Sequence, residues 1–375
     1  MCNESRLFLK SVVENRLYLG QRMLDWTGCS EYRWFGPHKS TTNTPFSGDF
    51  GPMSFASLAT LLRQLDTELA ECSSSSCKLV YCVDDGKRNM TNAVFVIGAY
   101  MILMLDWTLE KVSECFDWLE EDSIEAYRNR TLIQSDLDLT VMDFWRSLTK
   151  SKQLGWIRRP ISSGESWGMI DVDEYIHFDD PGNGDMHEVI LGKIIAFRSP
   201  RDLDGHSTYI DDKDGFRHFS PAHFVETFKY DFDVTAVVQL NGSQYDRRAF
   251  TKHGISHYAL ELEDCSSPPA KVAHAFFNIV DSTPGVVAVH CRTGLGGTGT
   301  LIAMLLMRSY GFRAREAMGW LRIMRPGSVI GPQQHFLCRI ERAFSARVSR
   351  SLSTMELCHK KARGAAEGAM GQAGL

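Results

Sequence analysis

The chain has 375 residues, of which 43% are hydrophobic and 23% charged, a composition typical of globular proteins and a length sufficient for two domains with full cores. Its net charge of −5 argues against a general basic surface for nucleic acids or anionic membranes, so any anion-binding site has to be local. The longest uncharged apolar stretch, Ala93–Leu105, is shorter than the ~20 residues that cross a bilayer, and no membrane insertion is expected.

The ten cysteines of the chain indicate a reducing environment. The first ten residues, MCNESRLFLK, carry charges where a secretory signal would be apolar, so we expect residence in the cytoplasm, the nucleus or both. Cys72, Cys77 and Cys82 recur at every fifth position, but no CxxC or HxxxH pattern accompanies them. We therefore expect neither a metal site nor another cofactor.

The first half of the chain alternates strand-like and helical segments. Arg16–Gly20 is predicted as an early strand and Ser54–Leu69 as a helix with apolar residues at helical spacing. Lys78–Val83 (KLVYCV) is a predicted strand, which a polar turn joins to a buried helix at Ala93–Leu105. This alternation favours an α/β fold with at least partly parallel sheets.

The middle of the chain is polar. Thr149–Gly168 is rich in turn residues, which suits a linker or domain edge, and Asp171–Asp185 (DVDEYIHFDDPGNGD) is acidic. From composition alone, the acidic run is expected to be a solvated face. We predict a first domain at residues 7–165, an acidic linker at 166–185, a second domain at 186–348 and a disordered tail at 349–375.

The second half repeats the order strand, turn, helix. A predicted strand at Val286–Val289 leads into the loop HCRTGLGGTGT and an apolar helix at Thr298–Tyr310. When Cys82 is aligned with Cys291, the spacing places Arg88 on Gly297. The two halves therefore look like related domains.

The first of the two loops, CVDDGKR, has C-x5-R spacing and admits two interpretations. Either Cys82 is a second nucleophile or the loop is a decayed copy. The second interpretation is favoured, because Asp84 and Asp85 would repel a phosphate dianion and because the glycines of the other loop are missing.

The loop after Cys291 has the features of a phosphate cradle beside a nucleophile. The N-terminus of a helix stabilises a thiolate and offers N–H groups to an anion. The glycines permit positive φ and close approach, Thr298 can donate to the cysteine sulfur, and His290 can hold the loop. A dinucleotide-binding interpretation of GLGGTG suits the sequence less well, because a His-Cys pair precedes it and the loop comes late in the chain. The predicted anion-binding residues are Arg292, Thr293, Gly294, Leu295, Gly296, Gly297 and Thr298.

Several segments resemble the dual-specificity protein phosphatases of the cell-division-cycle-fourteen type. The most specific is RIMRPGSVIGPQQHFL at Arg322–Leu337. Further matches follow in order: GDFGPMSFASL (Gly48–Leu58), KRNMTNAVFVIGAYMI (Lys87–Ile102), DVDEYIHF (Asp171–Phe178), VTAVVQLN (Val234–Asn241) and VHCRTGLGGTGTLIA (Val289–Ala303). The resemblance implies two tandem dual-specificity-phosphatase-like domains, each a central, mostly parallel sheet flanked by helices, of which the N-terminal one is not catalytic.

The resemblance also implies substrates and residue roles. The substrates would be phosphorylated proteins, at phosphotyrosine or at proline-directed phosphoserine followed by a basic residue, in a cell-cycle role. Cys291 would be the nucleophile, Asp264 (in ELEDCSSPP) the general acid, and Gln333, with its neighbour Gln334, would position the hydrolytic water. The groove for the basic residue would be lined by Asp171, Asp173 and Glu174.

One position departs from the family. Residue 297 is glycine where the family has the arginine that closes C-x5-R and forks two hydrogen bonds to the phosphoryl oxygens. Loss of such a group costs about 10³- to 10⁵-fold in rate. The sequence predicts a family member with much reduced activity or, alternatively, a catalytically dead phosphoprotein-binding scaffold. An enzyme with a displaced arginine, for which Arg292 and Arg325 are candidates, and an allele or sequence error at residue 297 are further alternatives.

Overall fold

The computed structural model describes residues 8–21, 31–36, 50–75, 77–128, 137–162, 164–205, 207–263 and 266–342. Asp264 and the predicted tail at 349–375 therefore lie outside the described residues. Within these ranges, no helix combines the length and apolarity that a membrane span needs.

The first sheet has four strands in the order β1-β2-β4-β3, with β1 antiparallel to β2 and the other pairs parallel. Its strands are β1 (Phe8–Val13), β2 (Leu17–Gln21), β3 (Tyr32–Phe35) and β4 (Lys78–Val83). The helices of this half are α1 (Phe55–Ser75), α2 (Lys87–Leu103), α3 (Leu109–Glu114) and α4 (Val141–Gln153), with a 3-10 turn at Glu121–Ser123. The apolar run of α2 is buried along its length, as the sequence predicts, because α1, α4 and β4 pack around it.

The second sheet has five strands in the order β10-β9-β11-β6-β5, all parallel except the β5–β6 pair. Its strands are β5 (Met186–Ile190), β6 (Ile194–Arg198), β9 (Val234–Gln239), β10 (Ser256–Ala259) and β11 (Val286–Cys291). A separate hairpin is formed by β7 (Tyr209–Asp211) and β8 (Arg217–Phe219). The helices are α5 (Val172–Asp179), α6 (Pro221–Tyr230), α7 (Arg248–Thr251), α8 (Ala270–Ser282), α9 (Gly296–Ser309), α10 (Ala314–Met324) and α11 at residues 332–342.

The two sheets share one plan. In the first sheet, the antiparallel hairpin β1–β2 forms one edge, and the central strand β4 leads into the buried helix α2. In the second sheet, the hairpin β5–β6 forms one edge, and the central strand β11 leads into the buried helix α9. This correspondence confirms the predicted α/β class and the two related domains. It also puts the ends of β4 and β11, with Cys82 and Cys291, at equivalent places in the two sheets.

The two halves pack against each other through α4 and α10. Ser147 of α4 donates a hydrogen bond of 2.7 Å to the carbonyl of Glu316, and Arg315 forms an ion pair with the buried Asp143 at 2.7 Å. Gly319 is needed for this approach, since a Cβ there would lie 2.4 Å from the Ser147 hydroxyl. A single continuous cluster of buried hydrophobic residues includes members of both sheets.

The segment predicted as a polar linker is packed rather than extended. Helix α4 continues into it as far as Gln153, and Trp156 and Trp167 beyond the helix are buried. The acidic run that follows contains α5, whose N-cap Asp171 accepts hydrogen bonds from two backbone N–H groups. The buried Tyr175 hydroxyl of α5 donates to the carbonyl of Met324 at 3.0 Å. Val172 and Tyr175 are thus the buried residues of this short helix, and Asp173 and Glu174 are exposed.

Candidate active site

The Cys291 loop begins where the central strand of the second sheet ends. Cys291 is the last residue of β11, and α9 begins at Gly296, so the loop joins a strand end to a helix N-terminus as the sequence predicts. Gly294 has φ 71°, and a Cβ there would lie 2.2 Å from the carbonyl oxygen of Phe197 on β6. Gly296 needs room rather than a positive φ, because a Cβ there would lie 3.3 Å from the side-chain oxygen of Gln333.

Arg325 holds the loop in place from behind. Its Nε donates to the Gly294 carbonyl at 2.9 Å and its Nη2 to the Thr293 carbonyl at 3.0 Å. Its Nη1 forms an ion pair with Asp185 at 2.9 Å. All three guanidinium nitrogens are engaged and the side chain is buried, so Arg325 cannot replace the missing loop arginine without releasing the loop.

A buried histidine supports Arg325. Nδ1 of His187 accepts a hydrogen bond from Arg325 Nη1 at 2.9 Å, which leaves Nε2 to donate to Asp179 at 2.9 Å. Burial lowers the pKa of His187, so the ring is neutral in this arrangement. A chain of hydrogen bonds thus links Asp179 at the end of α5 through His187 and Arg325 to the loop carbonyls. The sequence did not predict this support of the loop.

The two predicted glutamines, Gln333 and Gln334, follow α10 and make different contacts. Gln333 lies beside Gly296, and its Nε2 donates to the carbonyl of Ser266 at 3.0 Å. Ser266 follows the undescribed Asp264 by two positions, so Gln333 connects the predicted acid loop with the cysteine loop. Gln334 instead accepts a hydrogen bond from the buried Arg322 at 2.8 Å and donates to the carbonyl of Gly331 at 3.3 Å.

His290 is fixed by a tyrosine. The hydroxyl of Tyr245 lies 2.8 Å from Nε2 of His290 and 3.0 Å from Nε2 of His257. Complete burial lowers the pKa of His290 to about 3, so the ring is neutral at physiological pH. The side chain therefore anchors the end of β11, in agreement with its predicted role of holding the loop, and does not supply a positive charge to the site.

The hydroxyl of Thr298 is buried and has no hydrogen-bond partner. The predicted hydrogen bond from this hydroxyl to the Cys291 sulfur is thus not formed. An unpaired buried hydroxyl costs about 1–3 kcal/mol, which an accepting ligand or thiolate at the loop would recover.

Position 297 has room for a side chain. A Cβ on Gly297 would lie 3.3 Å from the terminal Cδ1 of Leu262, and Gly297 is in the first turn of α9 without a positive φ. Since the contacted atom is the flexible end of a leucine, an arginine could be accommodated after a small movement. The glycine at this position is therefore not required by the backbone.

Two other arginines lie next to the loop with uncommitted side chains. Arg292 is within the loop and exposed. Arg198 ends β6 in direct register with Cys291, so the two side chains leave the sheet on the same face. Its guanidinium lies 5.7 Å from the ring centroid of Phe216, and in the described part of the chain neither arginine pairs with a carboxylate. Sequence reasoning missed Arg198, because only the pairing of β6 with β11 brings it to the loop.

The equivalent loop of the first domain has lost this arrangement. Burial raises the pKa of Cys82 to about 11, which disfavours the thiolate. Arg88, the arginine of its C-x5-R spacing, forms an ion pair with Glu125 at 2.5 Å and lies over the ring of Phe50. These contacts agree with the decayed-copy interpretation.

The predicted groove residues lie at the side of the second sheet. Asp171 and Glu174 line a small cavity together with Glu188 of β5 and Phe232, while Asp173 is exposed. Burial raises the pKa of Glu188 to about 7, and burial with neighbouring Asp171 raises that of Glu174. The acidic residues that reach the loop support are others, Asp179 and Asp185.

Comparison with known proteins agrees with this architecture. The family model described as "Dual specificity protein phosphatase, N-terminal half" matches residues 11–151, and "Polymorphic toxin system, DSP-PTPase phosphatase" matches residues 223–311. Human dual specificity protein phosphatase CDC14A is 36% identical over 294 residues, which cover 78% of this chain and 47% of that protein. Danio rerio CDC14AB is 32% identical over 325 residues, covering 87% and 51%. The chain spans about half the length of these curated relatives.

Proposed function

The chain is homologous to the CDC14-type dual-specificity protein phosphatases, and from this premise we propose that it binds phosphorylated proteins at the Cys291 loop and hydrolyses them very slowly. The observation that carries the proposal is that the Cys291 loop is held in place by Arg325 but has glycine at position 297. Arg325 fixes the loop carbonyls, so the backbone N–H groups stay available to an anion.

The proposed reaction is phosphoryl transfer to cysteine followed by hydrolysis. The Cys291 thiolate attacks phosphorus, Asp264 gives a proton to the leaving seryl or tyrosyl oxygen, and Gln333 positions the water that cleaves the cysteinyl-phosphate. Charge grows on the three equatorial oxygens in the transition state, where a bidentate guanidinium is most valuable. Without it, both steps slow by about 10³- to 10⁵-fold in total, while ground-state binding suffers less.

Binding of the phosphate is proposed to use groups that remain free. The proposed positive charge comes from Arg292 in the loop and from Arg198, whose backbone is in register with Cys291, and the unpaired Thr298 hydroxyl can donate to the sulfur or the ligand. Neither arginine extends from the first turn of α9, as residue 297 does, so neither reproduces the fork geometry. Slow turnover and retained binding follow from the same arrangement.

The substrate class proposed here comes from the family. We infer phosphotyrosine and phosphoserine-proline sites followed by a basic residue, in proteins of the cytoplasm or nucleus. Asp171, Asp173 and Glu174 at the start of α5, with Asp179 at its end, give that side of the domain an acidic character that favours such a residue, whereas the charge of Asp185 is balanced by Arg325.

The deciding experiment compares turnover of a phospho-Ser-Pro-x-Lys peptide by the wild-type chain with that of three variants. Gly297→Arg is expected to raise kcat by at least about a hundredfold, since the rest of the machinery is in place. Gly297→Lys is the matched control, because it restores a charge without the fork. Cys291→Ser should abolish turnover in every background. Rapid wild-type turnover that Cys291→Ser removes would overturn the proposal.

The scaffold alternative makes a different prediction in the same assay. A dead binding protein would titrate with the phosphopeptide but not its unphosphorylated form, and would show no turnover that depends on Cys291. Silence of the Gly297→Arg variant with intact binding would favour the scaffold and would place a second defect outside residue 297.

A further inference from the structure

A pair of thiols outside the active site lies where α1 ends and β4 begins. Cys72 is buried near the end of α1, and the half-buried Cys77 immediately precedes β4. The backbone N–H of Cys77 donates to the Cys72 carbonyl at 3.1 Å. This hydrogen bond holds the backbones of the two cysteines close together, and a disulfide requires Cα atoms about 4.4–6.8 Å apart.

The two sulfurs differ in chemical character. Burial, together with the hydrogen bond that its thiol gives to Cys77, raises the pKa of Cys72. The same hydrogen bond lowers the pKa of Cys77, with help from the Ser75 hydroxyl at 3.6 Å. In a thiol pair, the accessible sulfur with the lower pKa attacks a disulfide, and its neighbour then resolves the mixed disulfide.

A cavity of about 220 Å³ opens onto both thiols. Its lining comprises Asn15, Arg16, Leu69, Cys72, Ser73, Cys77 and Lys78. Lys78 pairs with Glu31, but in the described ranges no carboxylate pairs with Arg16, whose side chain is exposed. The cavity therefore offers a thiol nucleophile beside the exposed cation of Arg16, which favours an anionic reactant.

We propose that Cys77 and Cys72 form a thiol–disulfide exchange site for small anionic disulfides. The Cys77 thiolate attacks one sulfur of the disulfide RSSR, the S–S bond breaks, and the departing RS⁻ takes a proton. Cys72 then gives up its proton, attacks the Cys77 sulfur and expels the second RS⁻, which is protonated. The net change is transfer of two electrons and two protons from the thiol pair to RSSR, giving one Cys72–Cys77 disulfide and two RSH.

This site is independent of the phosphatase chemistry. It belongs to the first domain and uses two of the three cysteines that recur at every fifth position in the sequence. The third, Cys82, does not line this cavity, and burial raises its pKa. Cys115 on the same domain is an internal comparison, since it is half-buried like Cys77 but has its pKa raised by burial.

The first test treats the reduced full chain with oxidised glutathione and maps the products by peptide mass. The wild-type protein is expected to lose two hydrogens at Cys72 and Cys77 and to retain no glutathione. Cys72→Ser, or Cys72→Ala where serine is poorly tolerated, should trap one glutathionyl group on Cys77. Stable glutathionylation of wild-type Cys77 with Cys72 still free would overturn the proposal, as would reaction at Cys77 no faster than at Cys115.

The second test examines the charge of the cavity. Arg16→Gln is expected to slow the reaction of Cys77 with oxidised glutathione several-fold and to leave its reaction with cystamine, a small cationic disulfide, unchanged or faster. Equal slowing with both reagents would show that Arg16 supports the structure of the cavity and does not select the charge of the disulfide. If neither reaction slows, the proposed preference for anionic disulfides is wrong.

Discussion

Single side chains decide what the Cys291 loop can do. Arg325 fixes the loop through backbone carbonyls, and residue 297 lies in the first turn of α9. Under the proposed function, Arg325 has the task of support, and the catalytic task belongs to an arginine in whose place residue 297 is a glycine. If Arg325 were also lost, the loop carbonyls would lose the hydrogen bonds that hold the loop in its anion-binding shape.

The support role of Arg325 predicts a large effect on stability. Arg325→Met is expected to lower the free energy of unfolding by about 3–5 kcal/mol, because the Thr293 and Gly294 carbonyls and the Asp185 carboxylate lose their partner. Denaturant unfolding measures this loss, and phosphopeptide affinity should fall in parallel. Arg325→Lys, which keeps the charge but serves fewer acceptors, should lose less. Unchanged stability of the methionine variant would contradict the assignment.

Arg198 is predicted to contribute to binding. Arg198→Ala should weaken phosphopeptide affinity by about tenfold, as expected for loss of one charge-assisted contact, with little change in stability. The matched control is Arg146→Ala, an exposed arginine on α4. In the Gly297→Arg background the effect of Arg198→Ala should shrink, because the restored arginine takes over the phosphate. An equal loss for both alanine variants would show a nonspecific charge effect.

At the scale of elements, most helices and strands that could be predicted were predicted from runs of apolar residues. The strands β4 and β11 and the helix α9 follow from uninterrupted apolar stretches next to turn residues, so their positions were predictable within a few residues. Helix α2 begins at Lys87, before the predicted start at Ala93, because its first turn is polar and was predicted as a turn. Helix α5 was hidden, because only Val172 and Tyr175 of its eight residues are buried and acidic residues surround them.

Site residues whose roles depend on contacts between distant segments could not be predicted from the sequence. The cysteine, the loop glycines and Gln333 could be placed from one motif and one resemblance. Arg198 and His187 could not, because their roles depend on the pairing of β5, β6 and β11, which brings residues about a hundred positions apart into register. The predicted groove residues Asp171, Asp173 and Glu174 lie at the start of α5, whereas Asp179 at its end contacts the loop support, and the groove itself stays a prediction.

The packing of α5 on β5 predicts a pH-dependent stability. The pKa of Glu188 is raised to about 7 by burial, above its unfolded value near 4.5, so the folded state holds a proton that the unfolded state releases. The contribution of the protonated Glu188 carboxyl to the free energy of unfolding is fully present below pH 4.5 and is lost as the pH rises through 7. Glu188→Gln should therefore stabilise the protein by about 1–3 kcal/mol at pH 8 and have little effect at pH 4.5. Thermal unfolding across this range measures the difference, and an equal gain at both pH values would contradict it.

At the scale of the whole molecule, the two domains share one core. The buried cluster that includes β2, β4, α2 and α4 continues into α9 and α10 without a break. Ser147 and Glu316, Asp143 and Arg315, and Tyr175 and Met324 add polar contacts between segments far apart in sequence. The first domain is thus a structural support for the α10–α11 segment, from which Arg325 and Gln333 reach the loop region.

The close approach of α4 and α10 makes this coupling testable. Gly319→Ala places a Cβ 2.4 Å from the Ser147 hydroxyl, which should destabilise the protein by about 1–3 kcal/mol and loosen Arg325 at the far end of α10. Ser147→Gly removes the obstructing hydroxyl, so the double variant should recover part of the loss, a positive coupling that neither single variant explains. Because the core is shared, denaturant unfolding of each variant should remain a single transition by fluorescence and by circular dichroism. Two separate transitions in the wild-type protein, or additive losses in the double variant, would show that the domains unfold independently and that the first domain does not support the loop.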